Sequence, residues 1–147
     1  MIEIRKAIET DSKNLLKLIK NINEKEQMYL RYDQESRSLN ARLIKNIKED
    51  HVVVFTDSNE IFGFIEYTIK GQLIWVYSLY FIKEYRYKTY DVLIPVFVGM
   101  KKSYKLPIHF AVHPDNYAMS LLTKFIRADK VCVYMDGRIE YRVKEVH

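Results

Sequence analysis

Residues 84–91 read "EYRYKTYD" and hold the side chains best suited to contact an anion. Arg86 and Lys88 carry positive charge there, and Asp91 opposes it. The stretch lies between two strongly apolar runs, where a strand and then a helix are expected. A basic loop between a strand and a helix is a common phosphate-binding position, because the helix N-terminal amides point at the anion. Such loops usually contain glycine, and this one contains none.

Positive charge is concentrated around this stretch. The chain carries a formal net charge of +5, and residues 83–105 contain six basic residues against two acidic ones. A local positive field favours an anionic partner, although a solvated basic face on a lysine-rich protein is the alternative. The residues are Lys83, Arg86, Lys88, Lys101, Lys102 and Lys105, against Glu84 and Asp91.

The remaining residues with potential chemistry form weaker patterns. His109 and His113 fall on a predicted strand and the turn after it, so they do not share a face as metal ligands do. Cys132 alternates with Val131 and Val133, which predicts a buried structural thiol. Because Cys132 is the only cysteine, it excludes an internal disulfide and fits a reducing compartment. No Ser/His/Asp pattern and no Cys/His metal spacing occurs in the sequence.

Five of the twelve tyrosines lie between residues 77 and 90. Aromatic rings interleaved with Arg86 and Lys88 are suited to stack on single-stranded nucleic acid. Sheet packing or a protein interface is the more common role of such a cluster, so a nucleic-acid partner is not expected. The five are Tyr77, Tyr80, Tyr85, Tyr87 and Tyr90.

The hydrophobic periodicity predicts the elements that position these residues. Alternating and helical spacings give the order β-α-α-β-β-β-α-β-α-β-β. This order predicts an α+β fold with a mixed, mostly antiparallel central sheet flanked by helices. The predicted strands are residues 2–7, 51–56, 61–69, 73–82, 108–112, 130–135 and 138–146, and the third helix covers 92–103.

Length and composition favour one domain over residues 1–147. The chain is 48% hydrophobic and 29% charged, which is typical of a globular protein. No apolar run reaches the roughly 20 residues of a membrane span. The charged N-terminus does not resemble a signal peptide. We therefore expect a cytoplasmic protein without a membrane partner.

The order and spacing of these segments resemble the GNAT superfamily of acyl-CoA N-acyltransferases over nearly the whole chain. "IEIRKAIETDSKNLLKLI" looks like the first strand and helix, and "IFGFIEY" looks like the third strand. "LYFIKEYRYKTYDVLI" is similar to the fourth strand, the pyrophosphate loop and its helix. "VHPDNYAMSLLTKF" and "DKVCVYMDGRIEYRV" resemble the late helix and the closing hairpin. The resemblance implies a GNAT-like domain that uses acetyl-CoA.

The loop departs from the family pattern, which is Arg or Gln, two residues, Gly, one residue, then Gly or Ala. Arg86 matches the first position, while Thr89 and Asp91 stand where small residues belong. Thr89 hinders close approach, and Asp91 adds a carboxylate at the helix start, where we interpret it as an N-cap. The resemblance therefore implies a degenerate loop and weak CoA binding. The cofactor contacts that it implies come from Phe81, Ile82, Arg86, Tyr87, Lys88, Thr89, Tyr90, Asp91 and Asn116.

The resemblance also implies roles in catalysis. A base for the ammonium proton is expected at Glu66 or Tyr77, with Ser78 as a further candidate, although Glu66 on its strand has a solvent-facing alternative. A backbone N–H at Phe81 or Ile82 would polarise the thioester carbonyl. The late-helix tyrosine that protonates the thiolate in many members has no counterpart. Two possible alignments place Leu122 or Thr123 there.

Two functions follow from the resemblance. The first is acetyl transfer to a small-molecule or peptide amine, which would enter near Tyr29 and Tyr32. The second is a catalytically inactive binding or structural protein that uses a basic, tyrosine-rich surface to meet a protein partner. Some phage-encoded relatives look similarly degenerate, which suggests a viral role by analogy. The oligomeric state is left open by the sequence.

Overall fold

A seven-stranded sheet organises the chain, with strand order β1-β2-β3-β4-β5-β7-β6. The structure is a computed structural model that describes residues 1–25, 36–114 and 117–143, without the side chains of 21–25, 36–38, 117 and 118. The strands are β1 Ile2–Lys6, β2 Val52–Asp57, β3 Glu60–Lys70, β4 Leu73–Phe81, β5 Ile108–Val112, β6 Asp129–Val133 and β7 Ile139–Val143. The helices are α1 Ser12–Lys25, α2 Ser36–Lys48, α3 Thr89–Tyr104 and α4 Tyr117–Phe125.

Antiparallel pairing dominates the sheet. β1 with β2, β2 with β3, β5 with β7 and β6 with β7 are antiparallel. β4 and β5 pair in parallel, with Ile74 opposite Ile108. A parallel pair needs a crossover connection, and α3 lies in it. The predicted α+β class and mixed, mostly antiparallel sheet are therefore confirmed.

The chain divides into two compact units. The first comprises Met1–Thr68 and Tyr77–Arg86, and the second comprises Ile69–Val76 and Tyr87–His147. In the first unit, apolar residues of α1 and α2 pack on β2 and β3. The side chains at the centre of that core are Leu15, Ile19, Leu43, Ile47, Val54 and Phe64. The buried side chains of the second unit include Ile74, Leu93, Phe97, Ile108 and Val143.

A bulge in β3 brings Phe62 toward the end of β4. Phe55 pairs with Gly63 and the next residue, Thr56, pairs with Ile61, so Phe62 is the extra residue of β3. Its carbonyl accepts a hydrogen bond from the Ile82 N–H at 2.9 Å. A Cβ on Gly63 would lie 2.6 Å from the Tyr80 carbonyl oxygen. Glycine is therefore required where β3 passes this part of β4.

Candidate active site and cofactor loop

Glu66, on β3, is the centre of a buried polar cluster. Its side chain is completely buried, and both of its carboxylate oxygens accept two hydrogen bonds. The Oε1 atom accepts from Arg42 Nη2 at 2.9 Å and from Ser78 Oγ at 3.0 Å. The Oε2 atom accepts from Arg42 Nε at 3.1 Å and from Asn46 Nδ2 at 2.8 Å. The carboxylate is therefore paired with a cation and fully hydrogen-bonded, as a buried charge must be.

The cluster forms because α2 faces these strands with two polar residues one turn apart. Arg42 and Asn46 lie four residues apart and therefore project from the same side of the helix. The Arg42 side chain is 30% exposed, so it connects the buried Glu66 with the surface. The Arg42 guanidinium carbon also lies 4.6 Å from the centre of the Tyr77 ring. Arg42 thus links the two predicted catalytic residues, Glu66 and Tyr77.

The solvent-facing alternative for Glu66 is wrong. Burial and four hydrogen bonds hold the carboxylate away from water, and each of its oxygens already accepts two donors. Ser78 is also buried and donates to Glu66. A base that accepts a proton from an amine must offer a lone pair to it. The role of Glu66 as a base stays a prediction, and its contacts favour a positioning role.

Residues Lys83–Lys88 form a 3₁₀ helix, here called the loop helix, which runs directly into α3 at Thr89. Inside a 3₁₀ helix each N–H donates to the carbonyl three residues earlier. The Tyr85 N–H accordingly donates to the Ile82 carbonyl at 3.0 Å. The 3₁₀ conformation therefore engages backbone amides of this segment within the helix.

Tyr85 holds the start of the loop helix on the first unit. Its ring stacks on Phe62 with 4.3 Å between ring centres. Its hydroxyl donates to Asp57 Oδ2 at 2.8 Å. This bond lowers the pKa of the Asp57 carboxyl, with a further contribution from the N-terminal amine. Apolar stacking and a charge-assisted hydrogen bond thus fix Tyr85, which explains one of the clustered tyrosines as packing.

The two backbone N–H groups predicted to polarise the thioester, those of Phe81 and Ile82, differ in what is known of their hydrogen bonds. The Ile82 N–H already donates to the Phe62 carbonyl, so in this conformation it is not available to polarise a thioester. This corrects the expectation for Ile82. The role of the Phe81 N–H stays a prediction. The Phe81 side chain is buried and stacks on Phe55, with 5.2 Å between ring centres.

Asp91 is not the N-cap of α3. The helix begins at Thr89, and Lys88 is the N-cap, without a side-chain hydrogen bond to the helix end. Asp91 lies in the first turn and is exposed. A carboxylate there interacts favourably with the helix dipole, and it also opposes an anionic ligand. The N-cap interpretation is therefore wrong, while the charge argument stays a prediction.

The other predicted cofactor residues are spread along the loop helix and the start of α3. Tyr87 is 73% exposed and Tyr90 is 38% exposed. Arg86, Lys88 and Thr89 are partly buried. Asn116 lies outside the described residues, as do Tyr29 and Tyr32 of the predicted acceptor entrance.

The two positions aligned with the usual catalytic tyrosine are buried on α4. Leu122 is 5% exposed and Thr123 is 4% exposed. The Thr123 hydroxyl donates to the Ser120 carbonyl within the same helix, at 2.6 Å. Neither side chain offers a proton to a departing thiolate. The lack of a family-type acid at these two positions stays a prediction.

Arg42 and Asn46 were missed as site residues, although the sequence contains a signal for Asn46. Leu39, Leu43 and Ile47 form the apolar stripe of α2, and Asn46 interrupts it at a core-facing position. A polar side chain on an apolar stripe needs a buried partner. Finding that partner from sequence requires knowing that β3 places Glu66 beneath it.

A second polar cluster lies in the β5, β6 and β7 region of the second unit. The Glu140 carboxylate contacts His109 Nδ1 at 2.8 Å and accepts a hydrogen bond from the Tyr134 hydroxyl. Burial acts to raise the pKa of Glu140, but these two contacts lower it overall. Burial and the Glu140 carboxylate raise the pKa of Tyr134 to about 12. Nearby Cys132 is exposed, so the prediction of a buried thiol is wrong.

The part of the chain that the structure describes contains neither a metal-ligand cluster nor a membrane-spanning helix. No group of three or more His, Cys, Asp or Glu side chains there is arranged to hold a metal ion. Among the same residues, no helix combines the length and apolar character needed to cross a membrane.

The fold is shared over the full chain with solved acetyltransferases. A PaiA N-acetyltransferase from Thermoplasma acidophilum, in complex with coenzyme A, matches with a TM-score of 0.77 at 19% identity, covering 99% of each chain. A GNAT-family acetyltransferase from Staphylococcus aureus matches with a TM-score of 0.81 at 14% identity, covering 99% of this chain and 100% of that one.

A ribosomal-protein-alanine N-acetyltransferase from Brucella melitensis matches similarly, with a TM-score of 0.78 at 13% identity over 99% of each chain. No protein-family model matches the sequence, and no curated protein matches it either. The likeness therefore lies in the three-dimensional arrangement. The chain has the GNAT acetyltransferase fold, which confirms the fold that the sequence resemblance implied.

Proposed function

We propose that this protein is a cytoplasmic N-acetyltransferase-like protein that binds acetyl-CoA weakly and acts on an amine. One observation supports this most: the full-length likeness to acetyltransferases, one of them in complex with coenzyme A. The local arrangement agrees with it, because β4 leads through the basic loop helix into α3 and then to a parallel β5.

CoA is a polyanion, and the loop helix meets it with side chains. Arg86 and Lys88 supply positive charge and hydrogen-bond donors for phosphate oxygens. The loop helix uses amides internally, so we expect few backbone contacts to phosphate. Asp91 adds repulsion of roughly 3 kcal/mol for two unit charges about 5 Å apart at an effective dielectric of about 20. The residues present thus fit the cofactor through side chains, at reduced affinity.

Acetyl-CoA, when bound, supplies the acetyl group as a thioester whose thiol is the leaving group. Tyr77 is the proposed residue that meets the amine, since it lies on β4 and is only partly buried. Arg42 packs on the Tyr77 ring, and Glu66 holds Arg42 in place. Glu66 therefore acts through its neighbours in this proposal. The Phe81 N–H is the remaining proposed donor to the thioester carbonyl.

Calorimetric titration with CoA tests the proposed cofactor site. We expect a dissociation constant well above about 1 μM. Asp91→Gly should strengthen binding because it removes a carboxylate, and Arg86→Ala should weaken it because it removes a forked donor. Lys102→Ala is the matched control, since this exposed residue lies about 20 Å along α3 from Thr89. Equal affinity for the wild type, Asp91→Gly and Arg86→Ala would exclude the loop as the site.

A binding protein without catalysis is the second candidate. The saturated Glu66 carboxylate and the internally bonded loop helix both favour it. Release of free thiol from acetyl-CoA, measured against amines, peptides and aminoglycosides, separates the two. Thiol release above buffer supports the enzyme. No release and no CoA binding would leave the binding protein, for which a viral origin is an analogy only.

A further inference from the structure

Four large apolar side chains are exposed in the second unit, on the loop helix, α3 and α4. Tyr87 is 73% exposed, Tyr90 38%, Leu121 54% and Phe125 61%. Single exposed apolar residues are common on protein surfaces, whereas a continuous group of them marks an interaction site.

These four side chains form one continuous row, here called the aromatic row. Tyr90 and Phe125 are in edge-to-face contact, with 5.8 Å between ring centres and 61° between ring planes. Leu121 and Phe125 are four residues apart on α4 and so share a helix face. Tyr87 lies three residues before Tyr90 across the junction of the loop helix and α3, which places them as neighbours.

Basic side chains flank the aromatic row. The Lys88 ammonium lies 5.5 Å from the centre of the Tyr87 ring, within the range of a cation–π contact. Lys124, beside Phe125 in the sequence, and Arg127 are both exposed. Asp91 is the acidic residue on the same turn as Tyr90. The aromatic row is therefore an apolar surface whose neighbouring charged side chains are mostly basic.

The net charge of the protein is confined to the second unit. The first unit contains thirteen basic and thirteen acidic residues, whereas the second contains eleven basic and six acidic residues. The entire formal charge of +5 thus belongs to the unit that carries the aromatic row. A basic field raises the local concentration of a polyanion at that surface.

We propose that the aromatic row and its flanking basic residues bind single-stranded nucleic acid. A single strand offers unpaired bases that stack on exposed rings and phosphates that pair with Lys and Arg. An acidic protein would match the charge, but a single strand carries a stacking base beside every phosphate, which matches rings flanked by basic side chains. The exposure of Tyr87 and Tyr90 argues against the sequence-based alternative of sheet packing for these two rings, whereas the alternative of a protein interface stays untested.

Fluorescence anisotropy with a labelled oligothymidine of about 15 nucleotides tests this proposal. We expect saturable binding at about 50 mM salt that weakens as salt increases. Phe125→Ala and Tyr90→Ala should each weaken binding about 5- to 150-fold, the range for one stacked base. Phe125→Tyr keeps an aromatic ring and should retain binding. Val133→Ala is the matched control, because Val133 is also exposed in the second unit but belongs to β6.

A variant of a basic residue separates the contribution of charge to oligonucleotide binding from the contribution of ring stacking. Lys124→Ala should weaken binding to all sequences and reduce the salt slope by about 0.7. Neither Phe125 nor Lys124 is assigned to the proposed CoA site, although Phe125 contacts Tyr90, which is assigned to it. No binding at about 50 mM salt would overturn the proposal. Equal affinity of Phe125→Ala and Val133→Ala for the oligonucleotide would also overturn it. The same holds if polyglutamate competes as well as unlabelled oligothymidine does, which would indicate an acidic protein partner.

Discussion

At the scale of single residues, the buried carboxylate of Glu66 depends on donors from two different elements. Arg42 and Asn46 come from α2, and Ser78 comes from β4. A buried ion pair contributes little net stability compared with apolar residues of the same shape. Removing one partner, however, leaves a charge without compensation. The cluster therefore makes the packing of α2 on the sheet sensitive to single substitutions.

Arg42→Ala should destabilise the protein by about 3 kcal/mol, because it leaves Glu66 buried with two neutral donors. Urea unfolding of the variant and the wild type measures the difference. Lys45→Ala is the control on the same helix, since Lys45 is exposed, and it should change stability by less than about 0.5 kcal/mol. The double variant Arg42→Met with Glu66→Met should recover part of the loss. Equal effects of Arg42→Ala and Lys45→Ala on the free energy of unfolding would show that the Arg42–Glu66 pair is not needed for stability.

The Tyr134–Glu140 contact predicts a loss of stability at high pH. Burial and the neighbouring Glu140 carboxylate raise the pKa of Tyr134 to about 12, from an ordinary value of 10.0. The unfolded chain therefore releases this proton first, so the contribution is complete below pH 10 and is lost as the pH rises toward about 12. The free energy of unfolding of the wild type should fall relative to Tyr134→Phe across that range. A constant difference between the two proteins would contradict the contact.

The same contact acts in the opposite direction at low pH. The pKa of Glu140 is lowered overall, although burial alone would raise it. The contribution of Glu140 is therefore present above the ordinary glutamate pKa and is lost as the pH falls through the lowered one. Acid unfolding of Glu140→Gln should accordingly be less steep than that of the wild type.

At the scale of elements, the end of β4 and the loop helix are held by close packing against β3. Gly63 lets the Tyr80 carbonyl approach, and the bulge at Phe62 supplies both the stacking surface for Tyr85 and the acceptor for the Ile82 N–H. These contacts with β3 therefore hold the N-terminal end of the loop helix in place. Its internal hydrogen bonds occupy backbone amides that a close phosphate contact would need.

Gly63→Ala should destabilise the protein by about 1–3 kcal/mol, because the new Cβ would lie 2.6 Å from a backbone oxygen and 2.7 Å from the Phe81 ring. Gly99→Ala is the matched control. Gly99 lies in α3 with no heavy atom within 4 Å of the added Cβ, so alanine there should stabilise by about 0.5–1 kcal/mol. Thermal unfolding of both variants measures the contrast. Opposite signs are expected, and equal shifts would contradict the close approach at Gly63.

At the scale of the whole molecule, the proposed CoA site and the proposed nucleic-acid surface overlap on one fold. The likeness to acetyltransferases covers the full chain, while identity to them stays between 11% and 19%. At such identity the fold persists while the residues of a site change, so function must be argued from the site. The net positive charge and the aromatic row both belong to the second unit. Binding of CoA and of nucleic acid would therefore both involve Tyr87, Lys88 and Tyr90.

The sequence by itself determined the order of the elements and located the seven strands and the third helix to within about three residues. Alternation predicted a strand at 108–112, and the structure has β5 at Ile108–Val112. The third helix was expected at 92–103 and forms at Thr89–Tyr104, because propensity and periodicity locate a helix better than its first turn. These features depend on residues near one another in the chain, which is why periodicity finds them.

Only the tertiary structure decided which polar groups are engaged. The burial of Glu66 depends on Arg42 and Asn46, which lie 24 and 20 positions away in the sequence. The Ile82 N–H donates to the carbonyl of Phe62, the extra residue of a bulge in β3, and no local sequence pattern predicts that bulge. Two of the clustered tyrosines illustrate the difference: Tyr85 stacks on Phe62, whereas Tyr87 faces solvent. The hydrogen bonds and the burial of a side chain depend on the segments that pack against it. Those segments are distant in the sequence, so local patterns do not identify them.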